Sequence, residues 1–84
     1  MYDIYLERNA EKDLRSLPTT QFSSIIIKLK TLANDPRPSG CKKLKNTAHF
    51  WRIRIGNYRI IYEIMDSTKR IRIYRVKHRK DVYK

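Results

Sequence analysis

The chain predicts an α+β domain in which two N-terminal helices pack on a curved, mainly antiparallel sheet, in the order β-α-α-β-β-β-β. Three observations carry that expectation. Apolar residues recur at helical spacing between Asn9 and Ala33. Beyond the breakers of residues 35–40 the spacing changes to the two-residue alternation of strands. Gly56-Asn57 and Asp66-Ser67 then stand where hairpin turns would join those strands. At 84 residues the chain has room for one domain, residues 1–84. A chain of this size buries roughly 60–65% of the surface its unfolded form exposes, so most of its apolar residues go to one core and little is left for a deep pocket.

Tyr2-Asp3-Ile4-Tyr5-Leu6 is short, aromatic and branched, which suits a strand. From Asn9 to about Leu17 the residues Ala10, Leu14 and Leu17 follow helical spacing, with Glu11 placed one turn before Arg15 as a favourable pair, and Pro18 ends the helix. Thr19 or Thr20 is placed to cap a second helix, whose Phe22, Ile25, Ile26, Leu29, Leu32 and Ala33 form one apolar stripe with Lys28 and Thr31 outside it. Residues 35–40, Asp-Pro-Arg-Pro-Ser-Gly, make a loop within the domain, since neither side of it has a core of its own. A short segment around Leu44 and the runs 50–55, 58–65 and 70–76 follow as strands.

Alternation assigns the faces. Trp51, Ile53 and Ile55 share one side of their strand, and Phe50, Arg52 and Arg54 the other. Tyr58, Ile60, Tyr62 and Ile64 oppose Arg59, Ile61, Glu63 and Met65, so the hairpin brings Arg59 beside Arg52 or Arg54. The last strand breaks the pattern, because Ile71 and Ile73 share a phase with Arg75 and Lys77. A bulge near Tyr74 would restore the register.

Charge divides the chain as sharply as periodicity does. The formal net charge is +12, of which residues 1–41, with 6 basic and 5 acidic side chains, hold +1 and residues 42–84, with 14 basic and 3 acidic, hold +11. The second half reads as an anion-binding surface. The longest strongly apolar run is Ile25–Ile27 and the N-terminus carries Asp3, Glu7 and Arg8, so neither a membrane span nor a leader is expected and the cytoplasm is the expected compartment. Cys41 is the single cysteine, and with two distant histidines it makes no metal-ligand spacing; no metal and no cofactor are expected.

Arg52, Arg54 and Arg59, followed by Arg75, Lys77, His78, Arg79, Lys80 and Tyr83, bring guanidinium and ammonium groups together with aromatic rings. RNA fits this combination best, since guanidinium forks grip phosphate while Phe50, Tyr58 or Tyr83 stacks on unpaired bases. Lys42, Lys43, Lys45, Arg75, Lys77 and Lys80 are the candidate RNA contacts. Outward Arg and Lys on strands also serve as ordinary solubilising residues, but so many like charges in one place repel one another and point to a partner.

The run Trp51-Arg52-Ile53-Arg54-Ile55-Gly56-Asn57-Tyr58-Arg59-Ile60-Ile61-Tyr62, with Val76-Lys77-His78-Arg79-Lys80-Asp81-Val82-Tyr83, resembles the RelE branch of the RelE/ParE toxin superfamily. Lys42-Lys43-Leu44, the two helices and the length agree with it. The resemblance implies the toxin of a type II toxin–antitoxin pair that enters the ribosomal A site, beside 16S rRNA, and cuts the mRNA there without metal. It also implies an antitoxin that wraps around the toxin, which for so basic a chain is expected to be acidic and to form a higher-order complex.

That reaction needs a proton taken from the 2′-OH, negative charge stabilised at phosphorus and a proton given to the leaving 5′-oxygen. By resemblance Arg52, Arg54 and Arg59 grip the scissile phosphate and Tyr83 supplies a phenol, while the last basic position falls to Lys77 or Arg79. The best-known member of the branch has lysines at the places of Arg52 and Arg54, and arginine does not deprotonate, so His78 becomes the candidate base. His49 reads as structural or phosphate-contacting. Two other classes fit less well: a ParE-like inhibitor of DNA gyrase and a non-catalytic RNA-binding module.

Overall fold

A computed structural model describes the backbone of residues 1–82 and the side chains of residues 1–80. Its elements are β1 (Asp3–Leu6), α1 (Arg8–Arg15), α2 (Thr19–Asn34), β2 (Lys42–Lys43), β3 (Phe50–Ile55), β4 (Tyr58–Met65), β5 (Arg70–His78) and a final turn of helix, α3 (Arg79–Val82). The predicted architecture holds, with β5 running to His78 rather than ending at Val76. The strands form one sheet in the order β1-β5-β4-β3-β2, antiparallel throughout except where β1 lies parallel to β5.

Helices α1 and α2 lie on one face of this sheet. Ala10 and Leu14 of α1 and Ile25, Leu29 and Leu32 of α2 pack with Ile53, Ile60, Tyr62, Ile64, Ile71, Ile73 and Val76 into a single buried cluster. The other face has no helix of this pair on it and is called the open face below. Two details of α2 differ from expectation. Thr19 and Thr20 lie inside the helix, and Pro18 holds the cap position, with φ −57° already close to helical and its carbonyl accepting from the Phe22 amide. Phe22, expected in the core stripe, is 40% exposed because it sits in the first turn, where the helix has not yet reached the sheet's apolar centre.

The hairpin turns follow backbone chemistry. Gly56 takes φ +55° and Asn57 does not, the II′ pattern in which glycine comes first and the twist matches that of the flanking strands. The 35–40 loop is fastened to the sheet by side chains. Tyr62, fully buried, donates its phenol to the Pro36 carbonyl at 2.7 Å, and burial pushes that phenol well above its ordinary pKa. Arg37 stacks over Trp51 at 5.0 Å and donates to both oxygens of Asp66, which also accepts from the Tyr2 hydroxyl at 2.6 Å. One carboxylate therefore ties together the N-terminus, the loop and the β4–β5 turn.

The bulge in β5 is present where the phase conflict placed it. Arg75 pairs with Ile61 and Ile73 with Tyr62, so Tyr74 is the extra residue. Its consequence is a change of parity: Ile71 and Ile73 face the core before it, and Val76 and His78 face that side after it. Asp13 of α1 secures the change. Its carboxylate accepts from the Val76 amide at 2.9 Å and from Arg75 Nε and Nη2 at 2.9 and 3.1 Å. These contacts occupy the edge of β5 beyond the end of β1, where no strand pairs with it.

Two outcomes test this account. Asp13→Ala leaves the Val76 amide and a partly buried guanidinium without their acceptor and is expected to cost about 2–3 kcal/mol in urea unfolding, whereas Asp13→Asn costs less. For Asp66, the Arg37 hydrogen bonds, and after them the Tyr2 hydroxyl, lower its pKa from 3.8 to about 2. Its contribution is therefore complete above about pH 4 and disappears as pH falls toward 2. The thermal midpoint of the wild type is expected to drop over that interval more than that of Asp66→Asn, which starts lower at neutral pH.

Candidate nucleic-acid interface

The open face is built from the strand residues that alternate away from the core. Cross-strand pairing sets Arg54 opposite Arg59 and Arg59 opposite Lys77, so three cations from β3, β4 and β5 form one row across the sheet. Directly opposed residues have their Cβ atoms about 5 Å apart, close enough for all three head groups to reach one phosphate. The next row along the strands holds Lys42, Arg52, Ile61 and the Tyr74–Arg75 bulge.

Arg59 stands out within the row. It is 6% exposed, the one buried charged residue of the described chain, with Nη1 donating to the Tyr58 carbonyl at 3.2 Å. Among the described residues its Nε has no partner. A buried guanidinium donor without an acceptor is costly, and the cost is recovered when an anion arrives. Arg54 is exposed, and Arg52 and Lys77 are half-buried.

The remaining candidates divide. Lys42 shares the row of Arg52, while Lys43, opposite Trp51, shares the helix-side phase, and Lys45 lies in the exposed turn that follows. Arg75 is committed to Asp13, whose hydrogen bond raises the guanidinium pKa further. Arg79 and Lys80 begin α3 with exposed side chains, and the Arg79 amide is anchored to the Asn57 carbonyl at 2.6 Å. Tyr83 lies outside the described residues.

His78 is not brought to the arginines. It pairs with Tyr58 on the helix side, their rings meeting edge to face at 5.2 Å. There it borders a cleft with Asp13, Ser16, Leu17 and Val76, and its Nδ1 accepts from the Lys80 amide at 3.3 Å. The bulge is the physical reason, because it turns His78 inward with Val76 and leaves Lys77 outward. Of the two residues open for the last basic position, Lys77 is therefore the one in the row. Tyr58, proposed for stacking, also lies on the helix side, while Phe50 lies on the open face.

One aromatic residue is read from the sequence only as the place of a bulge. Tyr74, 48% exposed, lies on the bulge and meets the Phe50 ring edge to face at 5.3 Å, so it extends across β4 on the open face. The phase conflict that located the bulge was the available clue to it.

Its relatives place this helix-backed sheet, with its cationic face, in the class of small toxins of type II toxin–antitoxin systems. The chain belongs to the ParE toxin family, whose model, described as the ParE toxin of the type II toxin–antitoxin system parDE, matches residues 4–83. It is 29% identical to the toxin RelG of Mycobacterium tuberculosis, over 99% of this chain and 97% of that one. A chain of the archaeal RelE–RelB complex from Pyrococcus horikoshii OT3 superposes with a TM-score of 0.83 at 29% identity, covering 93% of this chain and 94% of its own. A chain of the RelB–RelE antitoxin–toxin complex from Methanococcus jannaschii gives 0.77 at 30% identity, with 94% of each chain covered. The RelE-type fold expected from the motif is thus found.

Burial of Arg59 yields a stability prediction. Arg59→Met keeps the aliphatic volume and removes an unsatisfied buried cation, so it is expected to stabilise the chain by about 1 kcal/mol, raising the thermal midpoint by about 4–8 °C. A lower midpoint would show that the guanidinium is stabilising where it stands.

Proposed function

We propose that this toxin is a ribosome-dependent endoribonuclease that cuts mRNA in the A site, and that the row Arg54–Arg59–Lys77, with Arg52 beside it, is where the scissile phosphate binds. The observation that supports it best is Arg59 itself, a buried guanidinium with an unpartnered Nε at the centre of that row. The site is preorganised for an oxyanion: its donors are fixed by strands and one of them is already desolvated.

In the reaction the mRNA 2′-oxygen attacks the adjacent phosphorus as its proton leaves. The P–O5′ bond then breaks, and O5′ takes up a proton, giving a 2′,3′-cyclic phosphate and a 5′-hydroxyl end. Arg52, Arg54 and Arg59 stabilise the phosphorane but cannot move protons. Lys77 is the member of the row whose ammonium can give O5′ its proton, while the 2′-OH proton passes to water or to the ribosome's RNA. His78 on the opposite face is assigned to holding α3, through the Lys80 amide, rather than to proton transfer. The chemistry as written needs no metal.

The antitoxin that this reading requires is an acidic chain that covers the same face, because a net charge of +12 has no internal counterweight. A second reading, inhibition of DNA gyrase, is favoured by one observation, that the matching family model is that of ParE toxins. Under it the purified chain blocks supercoiling and leaves message on ribosomes whole.

On programmed ribosomes the wild type is expected to produce new 5′-hydroxyl ends and to leave free RNA nearly intact. Arg59→Ala should slow single-turnover cleavage about 100-fold or more. Lys77→Arg should keep ribosome binding but lose cleavage, because charge is conserved and the exchangeable proton is not. Full activity in both variants, or intact message at toxin excess, would remove this reading.

A further inference from the structure

We infer that Tyr74 and Phe50 form a stacking step for one unpaired nucleobase, held beside the phosphate that Arg52 grips. The inference rests on the open face being an RNA site, and names a part of it that the arginines do not explain.

The geometry comes from the bulge. Tyr74 and Arg75 both stand opposite Ile61, and they take different directions: Arg75 turns to the strand edge and Asp13, while Tyr74 lies across the sheet toward Phe50. The rings meet at 77°, so the edge of one supports the face of the other, and Tyr74 remains 48% exposed. A ring serving only to cover the sheet would be buried by its neighbours; this one presents a supported aromatic surface to solvent. Phe50 precedes Arg52 by two strand residues on the same face, about 7 Å, so the base would sit next to the phosphate contact.

Charge limits what can bind at this point. On the far side of the aromatic pair the face carries Glu63, which pairs with Arg72 at 3.5 Å, and Arg72 pairs in turn with Glu7 at 3.1 Å. Arg72 is thereby neutralised, while Arg70, further along the strand, lies over the Tyr5 ring at 5.5 Å without a carboxylate partner among the described residues. A strand crossing the face thus meets cations without carboxylate partners at Arg54, Arg59, Lys77 and Arg52, then an aromatic surface, then the paired charges of Arg72, Glu63 and Glu7. Base stacking on such a ring tolerates any sequence, since every base has a π-face.

The test is binding of a short oligoribonucleotide that carries 2′-O-methyl groups throughout, so that it cannot be cut by 2′-OH attack, and one 2-aminopurine as a fluorescent base. Tyr74→Ser is expected to weaken binding roughly tenfold and to abolish the quenching of 2-aminopurine, with the slope of log K against log salt unchanged. Tyr74→Phe should restore both. Arg52→Ala, by contrast, should make the slope shallower by about 0.7, because one phosphate is no longer neutralised. The inference is overturned if Tyr74→Ser binds and quenches like the wild type, if it flattens the salt slope, or if the wild type binds no oligonucleotide at low salt. It is also overturned if the variant loses antitoxin affinity while RNA affinity holds, which would make the pair a protein-docking surface. Because binding alone is read, a Tyr74-dependent complex without cleavage on ribosomes removes the endonuclease reading and leaves the stacking step in place.

Discussion

The hold of Asp13 on β5 decides what the rest of the molecule can do. Ile71 and Ile73 must face the helices, and an unbroken strand would carry Arg75 and Lys77 into the core after them. Burying two cations there would consume much of the fold's margin, since effective penalties reach several kcal/mol per ion and domains are stable by only about 5–15 kcal/mol. The extra residue at Tyr74 resolves the conflict, and beyond the end of β1 the Val76 amide faces an edge that no described strand covers. Asp13 closes that edge by accepting from the amide and from Arg75 together. Helix α1 is thereby tied to the strand that supplies Lys77, and packing of the core and placement of the cations become one event.

Electrostatic repulsion is then distributed rather than removed. Near the β4–β5 turn cations meet carboxylates: Arg72 with Glu63 and Glu7 on the open face, and Arg37, stacked on Trp51 of the helix side, with Asp66. At the other end Arg52, Arg54, Arg59 and Lys77 have no carboxylate partner among the described residues. The paired end is mostly exposed and contributes modestly to stability, as surface pairs do. On the open face it neutralises Arg72, whereas Arg70, over the Tyr5 ring, has no carboxylate partner among the described residues. The contrast between halves of the sequence, +1 and +11, is thus refined within the sheet to a contrast between its two ends.

Much of this could be read from residue order. The stripe of α2, the faces of β3 and β4 and the need for a bulge near Tyr74 all followed from periodicity, because each rests on contacts between sequence neighbours or across a tight hairpin. The pairing of Asp13 with Arg75 did not, as it joins residues 62 positions apart and no local pattern announces it. The parallel docking of β1 beside β5 was equally invisible, since four residues of alternation carry no information about which edge they will join. The placement of His78 is different in kind. Carrying the bulge through the parity of β5 puts Val76 and His78 inward and Lys77 outward, so the position was accessible from sequence once the extra residue was accepted. Proton chemistry drew attention to the imidazole, and steric phase placed it on the other side of the sheet.

Arg59 shows why a basic face can be more than a collection of surface charges. Exposed guanidinium groups bind phosphate weakly because each must surrender water that it holds well. Arg59 has surrendered most of that water on folding: it is 6% exposed and stands between Arg54 and Lys77 in the cross-strand row. The free energy of holding it there appears as reduced stability of the free chain. It returns when any anion of suitable shape reaches Nε, whether phosphate or carboxylate. Occupancy of the face and stability of the fold are therefore linked quantities, each ligand stabilising the chain by RT ln(1 + [L]/Kd). If the row binds RNA as proposed, a partner that supplies carboxylates to it would compete for the same unsatisfied donor.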